Sequence, residues 1–379
     1  MLVGVPKEIK NHEYRIGLTP AGVRELVQHG HQVMIESDGG TAIGLTNEMY
    51  QAAGAEIIAT AQEIFSRADM IVKVKEPQPQ ECKMLRDGQT LFTYLHLAPD
   101  PQQTQLLVES GATCIAYETV TDKNGGLPLL APMSEVAGRM SIQAGAHCLE
   151  KAQGGSGILI GGVPGVEPAN ITVIGGGVVG LNAARVAMGM GGNVTILDRS
   201  LSRLKQIDEL FEGRIKTLFS TTEVLEQQLK DADMVVGAVL IPGAAAPKLV
   251  TREMLGLMKQ GSVLVDVAID QGGCFETSRA TTHQDPTYVV DGITHYCVAN
   301  MPGGVARTST FALTNATLPY VLALADKGPK QALFDDKHLL EGLNVHHGLV
   351  TCEAVASALG YQFVAAESAL AGSDLQVSA

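Results

Sequence analysis

The run Gly175-Gly176-Gly177-Val178-Val179-Gly180 lies between an apolar β-like stretch, Ile171–Ile174, and a helical stretch, Val179–Met190. No other feature of the 379-residue chain limits its fold as strongly. It contains G-x-G-x-x-G at Gly175, Gly177 and Gly180. The first glycine permits a tight turn, the second lets the backbone approach a pyrophosphate, and the third lets helix and strand pack closely. The helix N-terminus then offers unpaired N–H groups and a positive dipole end to phosphates. In a chain with 42 glycines the pattern alone carries little weight, so its flanks matter. The next strand, Asn193–Leu197, ends at Asp198, about 20 residues past the glycines, where a carboxylate accepts hydrogen bonds from a ribose 2′-OH. The same carboxylate repels a 2′-phosphate, so NAD is expected in preference to NADP. The competing reading is a glycine turn in an unrelated α/β domain, with Asp198 as a solvated strand end.

The fingerprint belongs to one of two alternating series. The first runs over about 125 residues, with strands expected at Leu2–Val5, Gln32–Glu36, Met70–Val74, Thr90–Leu95 and Thr113–Ala116 and helices at Pro20–His29, Asn47–Ala53, Ala61–Arg67 and Pro101–Glu109. Thr19-Pro20 is a good helix start, since Thr can cap and Pro fits the first helical position. A turn-rich break, Asn124–Pro128, precedes a long helix expected over Ser134–Lys151, and glycine-rich breaks follow it. The second series has strands at Ile171–Ile174, Asn193–Leu197, Lys216–Phe219, Met234–Ala238 and Ser262–Val267. Val305–Ala325 is again helical, and the tail is expected to be mostly helical with a loose polar end at Ala379. The expected class is α/β: two doubly wound, parallel-sheet, Rossmann-like domains with a cleft between them.

Charge and composition exclude several functions. Lys+Arg is 27 against Asp+Glu 40, a net charge of −13, so no nucleic-acid partner is expected. The six cysteines form no C-x-x-C and read as buried free thiols in a reducing compartment. The N-terminus lacks a signal-peptide pattern. The uncharged run Thr308–Ala325 holds Asn315 and Pro319 and reads as a buried helix, not a membrane span. A soluble cytoplasmic protein with no membrane partner is expected.

Ligands of open parallel sheets bind beyond the carboxyl ends of the strands. Arg15 follows the first strand, Lys75 follows Met70–Val74, and His96 follows Thr90–Leu95, with Tyr94 one residue inside that strand. A guanidinium, an ammonium and an imidazole can thus converge on one small anionic substrate. The alternatives are surface ion pairs for Arg15 and a structural role for His96. Lys73 and Lys75 share a strand face by alternation, and only position favours Lys75. In the second series Asp270 lies in the loop after a strand, where it can touch ribose or substrate or simply cap a turn. Val298–Gly303 is a second loop at the same expected edge. His346-His347 reads as a solvated turn.

Together these residues resemble the family of alanine dehydrogenase and the NAD-binding part of proton-translocating transhydrogenase. The matching stretches include VGVPKEIKNHEYRIGLTP from Val3, VKVKEP from Val72, LFTYLHLAPD from Leu91 and PMSEVAGRMSIQAG from Pro132. Others are GGVPGVEPANITVIGGGVVG from Gly161, VDVAIDQGGCFETSRATTHQDPTY from Val265 and HYCVANMPGGVARTST from His295. The resemblance implies a substrate domain of residues 1–128 plus 306–379 and an inserted NAD-binding domain of residues 129–305, assembled as a homohexamer. It implies that Arg15 and Lys75 hold the substrate and that His96 and Asp270 are the acid/base pair. It further implies that Ser134, Val178, Asp198, Arg203, Ser220, Arg279 and the loop Val298, Ala299, Asn300 and Met301 contact the dinucleotide, beside Gly175, Gly177 and Gly180. No metal-ligand pair is identified near Val305–Ala325. The implied reaction is reversible NAD-dependent deamination of L-alanine to pyruvate and ammonia. The alternatives are a soluble NAD-binding transhydrogenase subunit and a dehydrogenase of another amino acid, such as saccharopine.

Overall fold

The structure, a computed structural model, describes residues 1–239 and 246–376. They form two compact units, Met1–Met133 with Ala306–Ala379, and Ser134–Val305. Residues 377–379, where a loose polar end is expected, lie outside the described residues.

In the first unit, short Val/Ile/Met-rich runs form β1 (Leu2–Val5), β2 (Gln32–Glu36), β3 (Glu56–Ile58), β4 (Met70–Val72), β5 (Thr90–Thr93) and β6 (Thr113–Ala116). Their spatial order is β3-β2-β1-β4-β5-β6, all parallel. That is the doubly wound order, and the chain reverses direction across the sheet between β1 and β4. The strands are apolar on both faces because helices cover both, and Ile64, Phe65, Leu91 and Leu107 are fully buried among them. Helix Pro20–Gln28 starts as expected: the Thr19 hydroxyl accepts from the Gly22 N–H at 3.3 Å, and Pro20 takes the first helical position.

The second unit repeats the plan. Strands β7 (Asn170–Ile174), β8 (Asn193–Asp198), β9 (Lys216–Phe219), β10 (Met234–Gly237) and β11 (Val263–Asp266) are joined by β12 (Thr287–Val290) and β13 (Ile293–Tyr296). The order is β12-β13-β11-β10-β7-β8-β9, parallel except for the antiparallel edge pair β12 and β13. Its switch point lies between β7 and β10, where Ile174 stands beside Gly237.

The tail differs from the mostly helical expectation. It returns to the first sheet as β14 (Leu343–His346), antiparallel to β6, and β15 (Leu349–Val350). His346 is accordingly not in a solvated turn: pairing with β6 buries it, with Nδ1 2.9 Å from the Thr113 hydroxyl. His347 does sit in the turn, at φ 45°. Strands β3, β12 and β13 were also not expected. The long helix Ala306–Lys327 buries small residues such as Ser309, Thr310 and Thr314, and contains Pro319. Among the described residues no helix is long and apolar enough to cross a membrane. Five of the six free cysteines are buried, and Cys352 is half-buried.

Candidate functional site

The candidate residues of each unit follow the carboxyl ends of its strands. Arg15 comes after β1, Lys75 after β4, Tyr94 and His96 after β5. All are near the switch point of the first sheet, where loops on either side of the reversal part and leave room for a ligand.

Arg15 is 2% exposed and locked by Glu13: Nε donates to Oε1 at 2.7 Å and Nη2 to Oε2 at 2.5 Å. Its Nη1 faces the Met133 sulfur at 3.2 Å. Burial opposes the charge, but the Glu13 carboxylate outweighs it and raises the guanidinium above its ordinary value. The two-pronged pair fixes the plane of the guanidinium.

The structure separates the two lysines that alternation leaves together. β4 ends at Val72, and Lys73 turns into the core, fully buried between Glu8 at 3.1 Å and Glu81 at 2.8 Å. Burial opposes its charge, and the two carboxylates restore and raise it. Burial, with the Glu81 charge adding to it, pushes the Glu8 carboxyl up. Lys75 stays reachable, 17% exposed at its side chain, with Glu76 at 3.6 Å. Its backbone is pinned from both sides: its N–H donates to Glu8 at 3.3 Å and its carbonyl accepts from the Thr93 hydroxyl at 3.0 Å. Lys75 and Lys10 hold the Glu76 carboxyl below its ordinary value although burial opposes them.

His96 is the most open of the group, with 46% of its side chain exposed. Its φ is 49°, a left-handed conformation uncommon outside glycine and found where a surrounding structure enforces it. Glu118, in the short turn after β6, enforces it here: its carboxylate accepts the Leu95 N–H at 3.2 Å and the His96 N–H at 2.6 Å. The imidazole stacks on Tyr94, rings 7° from parallel with centroids 5.8 Å apart. Tyr94 is itself buried and donates to the Leu129 carbonyl at 2.5 Å. Burial raises the Tyr94 phenol, keeping it neutral beside Arg15.

In the second unit the fingerprint glycines divide by role. A Cβ on Gly175, at φ 102°, would lie 2.8 Å from the Ala238 carbonyl oxygen across the switch point. One on Gly180 would lie 1.8 Å from the Gly175 oxygen. One on Gly177 would meet no atom within 4 Å. No protein contact requires Gly177 to be glycine, so the open space in front of it, at the N-terminus of helix Val178–Gly189, suits a phosphate group. Val178 is exposed beside it.

Asp198 ends β8 and ties the neighbourhood together. It accepts the Gly176 N–H at 2.7 Å and the Ser200 N–H at 2.8 Å, while its carbonyl accepts the Ser220 N–H at 2.9 Å. Arg203 Nε donates to the Gly176 carbonyl at 2.6 Å. Gly176, Asp198, Arg203 and Ser220 are thus one cluster. Ser134 lies on helix Ala131–Cys148, which packs on the fingerprint helix so closely that a Cβ on Gly138 would be 2.2 Å from the Val179 oxygen.

Asp270 is exposed in the turn Val267–Gln271 after β11. That loop is held by Asp266, fully buried, which accepts N–H groups of Ala268, Cys274 and Phe275 at 3.1, 2.9 and 3.3 Å and the Ser278 hydroxyl at 2.5 Å. Burial raises the Asp266 carboxyl, with these donors working against it. Lys248 grips the same loop through the carbonyls of Gly272 and Gly273 at 2.5 and 2.8 Å. Arg279 stacks over Tyr288, 4.0 Å from the ring centre. Val298 bridges to Thr281, Ala299 N–H donates to the Thr281 carbonyl, and Asn300 holds φ 64°, with buried Met301 behind it.

Sequence reasoning missed the acids that build these loops: Glu8, Glu13, Glu118 and Asp266. Each accepts backbone or side-chain N–H groups at a strand end. The only local signal was an acid placed beside a candidate residue or at the end of an apolar run.

The two-unit, doubly wound fold with clamped loops at the strand ends defines a Rossmann-like α/β class, and comparison narrows it. Family models described as alanine dehydrogenase/PNT match the chain at residues 4–137 (N-terminal domain) and 141–353 (C-terminal domain). A protein of Halomonas elongata named alanine dehydrogenase is 63% identical over 97% of this chain and 99% of its own. A solved L-alanine dehydrogenase superposes with a TM-score of 0.92 at 49% identity, covering 95% of this chain and 99% of the other. A transhydrogenase structure from Sinorhizobium meliloti gives 0.81 at 25% identity over 93% and 100%. The chain belongs to the alanine dehydrogenase/pyridine nucleotide transhydrogenase family.

Proposed function

We propose that this protein is an NAD-dependent L-alanine dehydrogenase: L-alanine, NAD+ and water give pyruvate, ammonium, NADH and a proton, reversibly. The single observation that carries the reading is the set Arg15, Lys75 and His96 held at the strand ends of the first unit, in a chain 63% identical to a protein named alanine dehydrogenase. In this reading residues 1–128 plus 306–379 are the substrate domain and residues 129–305 the NAD-binding domain. The family resemblance also argues for a homohexamer working in the cytoplasm.

The residues divide the work by their chemistry. Arg15 pairs with the substrate carboxylate, since a guanidinium already fixed in plane by Glu13 suits a planar two-oxygen partner. Lys75 stabilises negative charge developing on the oxygen of the hydrated imine and of pyruvate. His96 takes a proton from the attacking water and returns it, because imidazole works near neutral pH and its ring is open to solvent. Asp270 is the second acid/base group of the proposal. Bound NAD supplies one chemical step, acceptance of hydride from the substrate Cα. Gly175, Gly177, Gly180 and Val178 would hold its pyrophosphate and Asp198 its ribose hydroxyls. Ser134, Arg203, Ser220, Arg279, Val298, Ala299, Asn300 and Met301 would complete the dinucleotide site. The open space before Gly177 and the half-buried carboxylate of Asp198 beside it fit that group.

The test is NADH absorbance with L-alanine as substrate, then with saccharopine, and with reduction of an NADP analogue by NADH. Turnover with L-alanine alone supports the reading. Activity confined to saccharopine, or to hydride passing between nucleotides, overturns it in favour of another amino-acid dehydrogenase or a transhydrogenase subunit.

A further inference from the structure

We propose that Glu118 is a positioning residue for proton transfer: it aims His96 so that Nδ1 faces the Glu118 carboxylate and Nε2 is left for the substrate. The inference rests on the reading of His96 as an acid/base group and goes one step deeper.

Three observations place Glu118 in that role. Its carboxylate accepts the main-chain N–H of both Leu95 and His96, the shorter bond being 2.6 Å to His96 itself. Those bonds hold His96 at φ 49°, a conformation that costs energy for any residue with a Cβ and so needs an external tie. The same Oε1 lies 3.8 Å from His96 Nδ1, within ion-pair reach. The Tyr94 ring lies nearly parallel to the imidazole, at 7°, and limits its rotation. Of the two ring nitrogens, Nδ1 is the one within ion-pair reach of this negative charge.

A carboxylate behind a histidine does two things. It favours the tautomer whose proton points at it, and it stabilises the imidazolium that forms when the far nitrogen takes a proton. Here the proton removed from water would go to Nε2, and the N–H at Nδ1 would face Glu118. On the return step Nε2 gives that proton back and Nδ1 keeps its own. Glu118 never exchanges a proton and touches no substrate atom. Other acids near these loops have different partners: Glu13 is engaged by Arg15, Glu8 by Lys73 and the Val74 N–H, Glu76 by Lys10 and Lys75, and Asp100 by the Gln103 N–H.

The experiment combines kinetics and spectroscopy on the full chain. Glu118→Gln removes the charge and keeps one acceptor oxygen for the His96 and Leu95 N–H groups, while its NH2 replaces the second oxygen that accepts from Leu95. The expected result is a fall in kcat of about 10–100-fold, the range known for losing the outer partner of a metal-bound histidine. KM for L-alanine and NADH affinity stay within twofold. In the 15N spectrum of the wild-type enzyme labelled at histidine, the His96 signal, assigned by its loss in His96→Gln, is expected to show a protonated Nδ1. A kcat for Glu118→Gln within twofold of wild type overturns the proposal and leaves Glu118 as a backbone clamp. A neutral His96 carrying its proton on Nε2 in the wild-type spectrum overturns it independently of how the variant folds. His96→Ala separates the two levels: full activity there removes the acid/base reading itself, whereas a dead His96→Ala beside an active Glu118→Gln removes only the role of Glu118.

Discussion

Gly180 has no room for a side chain: a Cβ there would stand 1.8 Å from the carbonyl oxygen of Gly175, while one on Gly177 would meet no atom within 4 Å. The two substitutions should therefore fail in different ways. Gly180→Ala forces helix Val178–Gly189 off β7 and is expected to cost roughly 1–3 kcal/mol of stability, seen as a lower Tm. Gly177→Ala should leave Tm unchanged and weaken NADH binding at least about tenfold, roughly 1.4 kcal/mol, because the added methyl occupies the space proposed for phosphate. Thermal melts and a fluorescence titration with NADH separate the two.

Arg15 is expected to act through shape as well as charge. Arg15→Lys keeps the positive charge and loses the planar fork that Glu13 holds through Nε and Nη2. KM for both L-alanine and pyruvate should rise about 10–100-fold, or roughly 1.4–2.8 kcal/mol, with NADH affinity unchanged. Steady-state kinetics in both directions check this. An unaltered KM would place the substrate carboxylate elsewhere.

Legibility of the sequence followed the range of the interactions involved. Both doubly wound series and the residues after β1, β4, β5, β7 and β8 could be read because strand, turn and helix are local patterns. Alternation left Lys73 and Lys75 on one face and only position favoured Lys75; what the sequence did not show is that β4 ends at Val72, which sends Lys73 into the core and leaves Lys75 reachable. Strands β3, β12, β13, β14 and β15 were missed because they are short pieces at or next to the sheet edges, of two to four residues, that exist through pairing with other strands. Glu118 was missed for the same reason: it is 22 residues from the N–H it accepts.

Asp198 should govern the choice between dinucleotides. Its carboxylate is fixed by the Gly176 and Ser200 N–H groups at 2.7 and 2.8 Å, which hold a negative charge where a 2′-phosphate would lie in the proposed complex. Asp198→Asn retains an acceptor and removes the charge. The preference for NAD over NADP, as a ratio of kcat/KM, is expected to fall at least about tenfold, since a like-charge clash costs several kcal/mol. Equal preference in wild type and variant would contradict the assignment.

His346 should make stability depend on pH. Burial, reinforced by the charges of His347 and Lys330, lowers its imidazole from an ordinary 6.5 to about 4. In the folded protein the ring is therefore neutral where the unfolded chain already takes up a proton. Its effect is absent above pH 6.5. As pH falls from there toward 4 the unfolded state is favoured, by up to roughly 3 kcal/mol at 1.36 kcal/mol per pH unit. Urea unfolding at pH 7 and pH 5 should show this loss in the wild type and a smaller loss in His346→Gln. Equal losses in both proteins would assign the acid sensitivity to other groups.

Hydride transfer from the substrate Cα to the nicotinamide is tested most directly by following one hydrogen. L-alanine carrying deuterium at Cα is incubated with the enzyme and NAD, and the reduced cofactor and pyruvate are analysed by mass spectrometry. One deuterium is expected in the reduced nicotinamide for each pyruvate and ammonia formed, with His96→Ala showing almost none of this transfer. Pyruvate formed with no deuterium in the cofactor, or no cofactor reduction by L-alanine at all, would contradict it.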